Sequence, residues 1–138
     1  MDGVTDNGLV THSWNRGYDL GRGIGSTASS FPADKWDKGY ISVQRANNVI
    51  NNIDKYQWPG GESDANRNQV LGEARTLRAY FYLDLVSIFG HIMFYTENPA
   101  TVAESENVKQ VQDPKEVFDF ILDDLDKAIA GLPDKPRQ

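Results

Sequence analysis

The 138-residue chain has no cysteine, and its 14 Lys+Arg against 20 Asp+Glu leave a formal net charge of −6. The missing thiols exclude disulfide scaffolds, thiolate zinc sites and cysteine nucleophiles. An apolar content of 39% with 11% aromatics is too rich for a disordered chain and lean for a self-sufficient globule. A compact chain of this length buries roughly two-thirds of its unfolded surface, enough for one core. Residues 1–90 carry ten acids and nine bases, net −1, whereas residues 91–138 carry ten acids and five bases, net −5. Neither half offers the basic patch that neutralises phosphates, so no nucleic-acid partner is expected. The longest uncharged stretch of the apolar region, Leu85 to Thr96, has twelve residues. A bilayer span needs about 20, so no transmembrane segment is expected. Met1 runs straight into Asp2-Gly3 with neither a basic nor an apolar leader region, so no signal peptide is expected within this chain.

In chain order, residues 1–33 read as an irregular Gly-rich loop, with Gly3, Gly8, Gly17, Gly21, Gly23 and Gly25 spaced by Ser and Thr and no lasting period. Helical order begins near Asp34. Trp36, Tyr40, Val43, Asn47, Ile50 and Ile53 recur at steps of three and four, predicting a helix over 34–54 that Trp58-Pro59-Gly60-Gly61 stops. A second helix, 66–89 with a start as early as Asp64, turns apolar on nearly every side from Ala79 onward. It is therefore expected to be central and wrapped by neighbours. Val70, Ala74 and Leu77 point inward in its first half, and Gly90 is its C-terminal cap. After an extended stretch, His91 to Tyr95, and a polar loop over 96–112, a third helix covers 114–130. Asp113 is its N-cap, Pro114 its first residue, and Glu116 completes a capping box. Its buried stripe is Val117, Ile121, Leu125, Ala128 and Leu132, widened by Phe118, Leu122 and Ile129. Asp123, Asp124 and Asp126 load the outward side. Residues 134–138 form a tail. The whole reads as one all-α domain of tetratricopeptide-like helical hairpins over 34–133, with a third helix whose apolar face lacks a following partner.

Several segments share one resemblance. Gly72-Glu73-Ala74-Arg75-Thr76-Leu77-Arg78-Ala79-Tyr80-Phe81-Tyr82-Leu83-Asp84-Leu85-Val86-Ser87-Ile88-Phe89-Gly90 is similar to the signature helix of the SusD/RagB family. Trp36-xxx-Tyr40 with Arg45-Ala46-Asn47-Asn48-Val49-Ile50, the Val117–Ile129 helix closing on Leu132-Pro133, and Thr5-Asp6-Asn7 resemble other family segments in the same order. His91-Ile92-Met93-Phe94 sits where the family often carries a proline that is absent here. The resemblance implies a SusD-like helical region from the N-terminal part of a longer protein. The family's members are surface lipoproteins of Bacteroidetes that capture nutrients, mostly glycans. They associate with a SusC-like TonB-dependent outer-membrane transporter, to which they deliver oligosaccharide. It further implies a lipid-anchored, surface-exposed location, with signal and anchor lying upstream of this chain.

For a glycan, aromatic faces meet the sugar's C–H surface and planar polar groups meet its hydroxyls. Trp14, Asn15, Arg16 and Tyr18 supply that mix in the first loop, and the competing reading is that Trp14 and Tyr18 only pin the loop. Trp58 is a weaker candidate. Glu73, Arg75, Arg78 and Asp84 fit either a binding cluster or a set of structural ion pairs. Glu73 lies two and five residues from Arg75 and Arg78, spacings that make no favourable pair along a helix, so partners are expected on other helices. The resemblance places these four, with Trp36, Tyr40 and Asn47, in the scaffold. Asn47 faces the core and is expected to satisfy buried backbone or arginine groups. The two histidines, His12 and His91, lie far apart and match no metal spacing; no nucleophile elbow or phosphate loop with its lysine occurs. No metal, cofactor or catalytic residue is therefore expected, and the chain is read as a non-enzyme. The alternative function is a helical-repeat adaptor for protein partners with no glycan ligand.

Overall fold

The computed structural model describes residues 4–5, 8–9, 12–13, 18–26, 30–59, 61 and 63–133. The chain divides into two compact units, Met1–Lys38 and Gly39–Gln138. In the first unit, β1 (Val4–Thr5) and β2 (Gly8–Leu9) form a two-stranded antiparallel ladder pairing Val4 with Leu9 and Thr5 with Gly8. A single helical turn, α1 (Tyr18–Gly21), lies against β1. Gly23 closes the turn in the left-handed region at φ 70°, and its N–H donates to Leu20 O at 3.0 Å. The 1–33 stretch expected to be irregular thus holds short ordered pieces. The helix expected from Asp34 starts earlier, as α2 (Ser30–Asn52). Pro32 fits that earlier start, because a first-turn proline withholds an N–H that has no helical partner anyway.

The second unit is built from the remainder of α2, α3 (Asp64–Phe89), the short α4 (Val102–Asn107) and α5 (Pro114–Gly131). Residues Ile53–Lys55 continue α2 as one 3-10 turn. Ser63 caps α3 by accepting from Asn66 N, and Gly90 ends it at φ 68°. Asp113 caps α5 by accepting from Lys115 N at 2.9 Å; the reciprocal Glu116 bond of a capping box is not made. Helix α4 falls in the stretch expected to be a polar loop. Thr101 Oγ1 accepts from Glu104 N at 3.2 Å while Glu104 Oε2 accepts from Ala100 N at 2.8 Å. The Thr-x-x-Glu spacing that encodes this pair was legible.

Helix α3 packs antiparallel on α5: Asn68 meets Gly131, Gly72 meets Ala128 and Leu132, Arg78 meets Asp124, and Tyr82 meets Phe120. It also runs antiparallel to α2, with Gly39 against Leu85 and Asp54 ion-paired to Arg67. The result is an all-α array of helical hairpins. Two glycines set its spacing. A Cβ on Gly72 would stand 2.7 Å from Leu132 Cγ and 3.1 Å from Ala128 O, and one on Gly39 would stand 2.8 Å from Leu85 Cδ2. Both permit backbones to approach at a distance that any side chain would widen.

The core comprises Val43, Ala46 and Ile53 from the α2 segment, Ala74, Ala79, Tyr82, Leu85 and Val86 from α3, and Val117, Ile121 and Ala128 from α5, with Ile92 and Val111 between them. Only part of α3 is covered. Leu77, expected inward, is 53% exposed; Tyr80 is 58% exposed, and Leu83 and Ile88 are also open to solvent. Two neighbours take the sides of α3 that carry Gly72, Arg78 and Tyr82, so its all-round apolar half is not wrapped. Likewise Phe118, Leu122 and Ile129 do not widen the buried stripe of α5 but lie outside it, Ile129 at 73%. Their positions fall on the side of α5 turned away from α3. We expect Gly72→Val to destabilise the fold by about 1–3 kcal/mol through overpacking. Thermal melts would read this as a lowered Tm, partly restored by adding Leu132→Ala; an unchanged Tm would show that the α3–α5 contact is not tight.

Candidate functional site

Trp14, Asn15 and Arg16 lie outside the described residues. Tyr18 sits in α1, half-buried, with the Arg22 guanidinium 4.6 Å from its ring centroid. Trp36 is half-buried in α2. The remaining residues singled out from the sequence belong to the second unit, and the structure treats them unequally.

Arg78 is the centre. Only 5% exposed on α3, it donates through Nε to Asp124 Oδ2 at 2.6 Å and through Nη2 to Asp124 Oδ1 at 2.8 Å, a two-pronged pair to α5. Its third prong, Nη1, reaches Asn47 Oδ1 on α2 at 2.8 Å, and its guanidinium carbon lies 4.9 Å over the Phe120 ring. Asp124, expected on the outward acidic side, is 1% exposed. Its inward placement follows from helical spacing. Positions 117, 121, 124 and 128 share one face of α5, and the carboxylate there is the counter-ion that the buried guanidinium requires. Asp123 remains outside, paired with Lys127 at 2.5 Å. Glu73 is exposed and accepts from Gln69 along its own helix at 2.8 Å, not from another helix. Arg75 and Asp84 are half-buried on α3 and outside the Arg78 cluster.

The same network positions the chain after α3. Asn47, fully buried, donates through Nδ2 to Tyr95 O at 3.4 Å and Asn98 Oδ1 at 3.3 Å. Asn98 Nδ2 then donates to Asn48 Oδ1 at 2.8 Å and Gln44 O at 2.9 Å, and Asn51 Nδ2 donates to Thr96 O at 3.0 Å. Two phenols hold the preceding extended backbone. Tyr40 hydroxyl accepts from Met93 N at 2.8 Å and donates to Met93 O at 3.0 Å. Tyr82 hydroxyl accepts from Tyr95 N at 3.1 Å and donates to Tyr95 O. On its other edge Ile92 O accepts from Val111 N at 2.9 Å, and Met93 bridges to Gln110. Segment 91–98 is therefore pinned without joining a sheet, and no buried side-chain polar atom among the described residues lacks a partner.

This pinning places two adjoining recesses at the C-terminal end of α2. The first, about 460 Å³, lies between α2 and the start of α3 and is lined by Val49, Ile53, Tyr56, Trp58 and Val70. Tyr56 and Trp58 meet edge to face at 5.0 Å. The second, about 400 Å³, is polar and lined by Asn51, Lys55, Glu97 and Asn98. Asn48 and Asn52 border both. Of this set, the sequence offers Trp58 as a weaker ligand contact and Asn48, Asn51 and Asn52 as candidate sugar donors that read instead as solvated or capping, because the long-range partners that gather them are 45 to 54 residues away. Among the described residues no group of three or more His, Asp or Glu side chains converges on a common ion position, and no helix is long and apolar enough to cross a membrane.

Comparison with known proteins gives a consistent picture. Residues 3–138 match a SusD-like family described as starch-binding and associating with the outer membrane. A SusD-like protein from Bacteroides ovatus is 31% identical over 100 residues, 72% of this chain and 18% of that protein. SusD-like protein P38 from Formosa agariphila is 30% identical over 98 residues, 71% of this chain and again 18% of its length. Among solved structures, a SusD-like protein from Bacteroides fragilis superposes with a TM-score of 0.75 at 24% identity, covering 88% of this chain and 22% of the other. A laminarin-binding SusD-like protein gives a TM-score of 0.76 at 26% identity, covering 87% and 24%. The chain thus spans about a fifth of the length of these relatives.

Two outcomes are expected of the network. Asp124→Ala strands a buried guanidinium and lowers stability by about 3–5 kcal/mol, whereas Arg78→Met with Asp124→Leu costs less than that single change. Chemical denaturation of the variants distinguishes the two. Burial pushes the Tyr40, Tyr82 and Tyr95 phenols above the ordinary value of 10.0. The folded state then keeps protons that the unfolded chain sheds, so the stabilisation is complete below about pH 10 and is lost as pH rises above it. Melting temperature is expected to hold below about pH 10 and to fall progressively as pH rises above it, and a flat profile there would contradict the burial of these hydroxyls.

Proposed function

The chain belongs to the SusD-like family, and on that premise we propose that it is a non-catalytic glycan-binding component of an outer-membrane nutrient-uptake complex. The observation that carries this reading is the match of residues 3–138 to a family described as starch-binding and outer-membrane-associated. The likeness to a laminarin-binding protein supports a polysaccharide ligand. A net charge of −6 favours a neutral glycan over a polyanion, which the protein's own field repels. The intact protein is lipid-anchored at the cell surface and hands oligosaccharide to a SusC-like TonB-dependent transporter. Trp14, Asn15, Arg16 and Tyr18 contribute ligand contacts from the first unit, and the helices of the second unit serve as the scaffold. The open apolar side chains Leu77, Tyr80 and Leu83 on α3 and Phe118 and Leu122 on α5 support a role in contact with partner protein surface.

Native affinity electrophoresis in gels containing laminarin or amylopectin tests the reading. At least one glycan is expected to retard the chain, and Trp14→Ala is expected to weaken retardation by about three- to tenfold in apparent Kd, the worth of one aromatic contact. A chain that migrates unretarded through both neutral glycans would contradict glycan binding. Full retardation of the Trp14 variant would remove that residue from the site.

A further inference from the structure

The geometry points to the paired recesses at the end of α2 as a second carbohydrate subsite, separate from the first-loop residues, that takes a neutral oligosaccharide. This assignment rests on the glycan-binding reading above and gives it a location that the first-loop aromatics do not share. An oligosaccharide presents two chemistries at once: an apolar C–H face and an edge of hydroxyls that each donate and accept. The two recesses present the complements of both, side by side.

The apolar recess supplies the face. Its volume of about 460 Å³ falls within the usual range of small-molecule sites. Tyr56 is 55% exposed and Trp58 partly so. Their edge-to-face contact leaves ring surface open and holds each ring in place by the other. Val49, Ile53 and Val70 floor the recess, and the Arg67–Asp54 ion pair ties the 3-10 turn that carries Tyr56 to α3. The aromatic wall is therefore largely preformed, which limits the ordering cost of binding.

The polar recess supplies the edge. Asn48 Oδ1 is occupied by Asn98, which leaves its Nδ2 as a donor. Asn51 Nδ2 is occupied by Thr96 O, which leaves its Oδ1 as an acceptor. Lys55 uses one of its hydrogens on Asn52 Oδ1 at 2.9 Å and keeps two, and the exposed Glu97 carboxylate accepts. Donors and acceptors thus alternate around one rim, which a hydroxyl can bridge and a purely anionic or purely cationic ligand cannot. Among the described residues of this rim, the Lys55 cation and the Glu97 carboxylate offset each other, which fits a neutral ligand. Asn48 and Asn52, bordering both recesses, stand where the ring face gives way to its hydroxyl edge.

The test is a titration of the 138-residue chain with laminarin and, separately, with amylopectin, read by tryptophan fluorescence and by affinity electrophoresis. Tyr56→Ala, Trp58→Ala and Asn48→Ala are each expected to weaken binding of the retarding glycan by about three- to tenfold, with Trp58→Phe closer to the parent. Tyr56 and Asn48 are exposed, so their variants retain the fold even if Trp58→Ala lowers the melting temperature. Binding by the parent that is unchanged in the Tyr56, Asn48 and Trp58 variants overturns the subsite while leaving glycan binding intact. Binding lost only in Trp14→Ala does the same. Absence of binding by the parent to either glycan removes the broader reading and the subsite together.

Discussion

The second unit is organised around one buried ion pair, Arg78 with Asp124. A guanidinium removed from water must have each of its prongs compensated, and Arg78 finds that compensation only if three helices arrive in register. Asp124 must face inward on α5, Asn47 must face inward on α2, and Phe120 must lie beneath the guanidinium plane. A one-residue rotation of α3 or α5 would leave a bare charge, and one of α2 would leave a guanidinium prong without its acceptor. Such a pair contributes little net stability compared with an apolar substitute, but it is strict about alignment, and alignment is what an array of uniform helical hairpins otherwise lacks.

The consequence reaches the surface through Asn47. Because its carbonyl is committed to Arg78, its amide must donate outward, and it does so to Tyr95 and Asn98. That holds the post-α3 segment against α2 and turns Asn98 toward Asn48. The phenols of Tyr40 and Tyr82 complete the arrangement by giving Met93 and Tyr95 both a donor and an acceptor, the service a neighbouring strand would provide. Tyr82 also packs edge to face with Phe94 at 5.3 Å and Phe120 at 6.0 Å, so the same side chain joins the polar network to the apolar core. The recesses at the end of α2 are thus bordered by a loop whose position is dictated from the core outward, a suitable base for a binding site.

A scaffold of this kind suits the family to which the chain belongs. Its interior is committed to holding helices in register, and its remaining resources, aromatic rings with amides on one side and open apolar stripes on another, lie at the surface. Close approach at Gly39 and Gly72 holds α2 and α5 tightly against α3, and the recesses at the end of α2 open at the surface between elements. The stripe of Leu77, Tyr80 and Leu83 has the character of a contact surface more than of a solvent face.

Much of this was legible in the sequence and some was not, for identifiable reasons. Periodicity, caps and stop signals are local, so α2, α3 and α5 and the buried faces through Val43, Asn47, Val117 and Ile121 follow from spacing alone, and the motif order carries the family. Local signals also encoded α4, in a Thr-x-x-Glu spacing overlooked inside a polar stretch. Which apolar positions are covered is not local: Leu77, Phe118 and Leu122 read as inward because apolarity marks a face as able to be buried, while coverage depends on how many neighbours are present. Asp124 shows the converse. Among Asp123, Asp124 and Asp126 composition sees only acid, and it takes Arg78 approaching from another helix to make one of the three internal. By itself the sequence determined helices, caps and kinship, because these depend on residues within a few positions of one another. Only the tertiary structure decided the partners of Arg78 and the meeting of Tyr56 and Trp58 with the asparagine cluster, because those depend on groups that folding alone brings together.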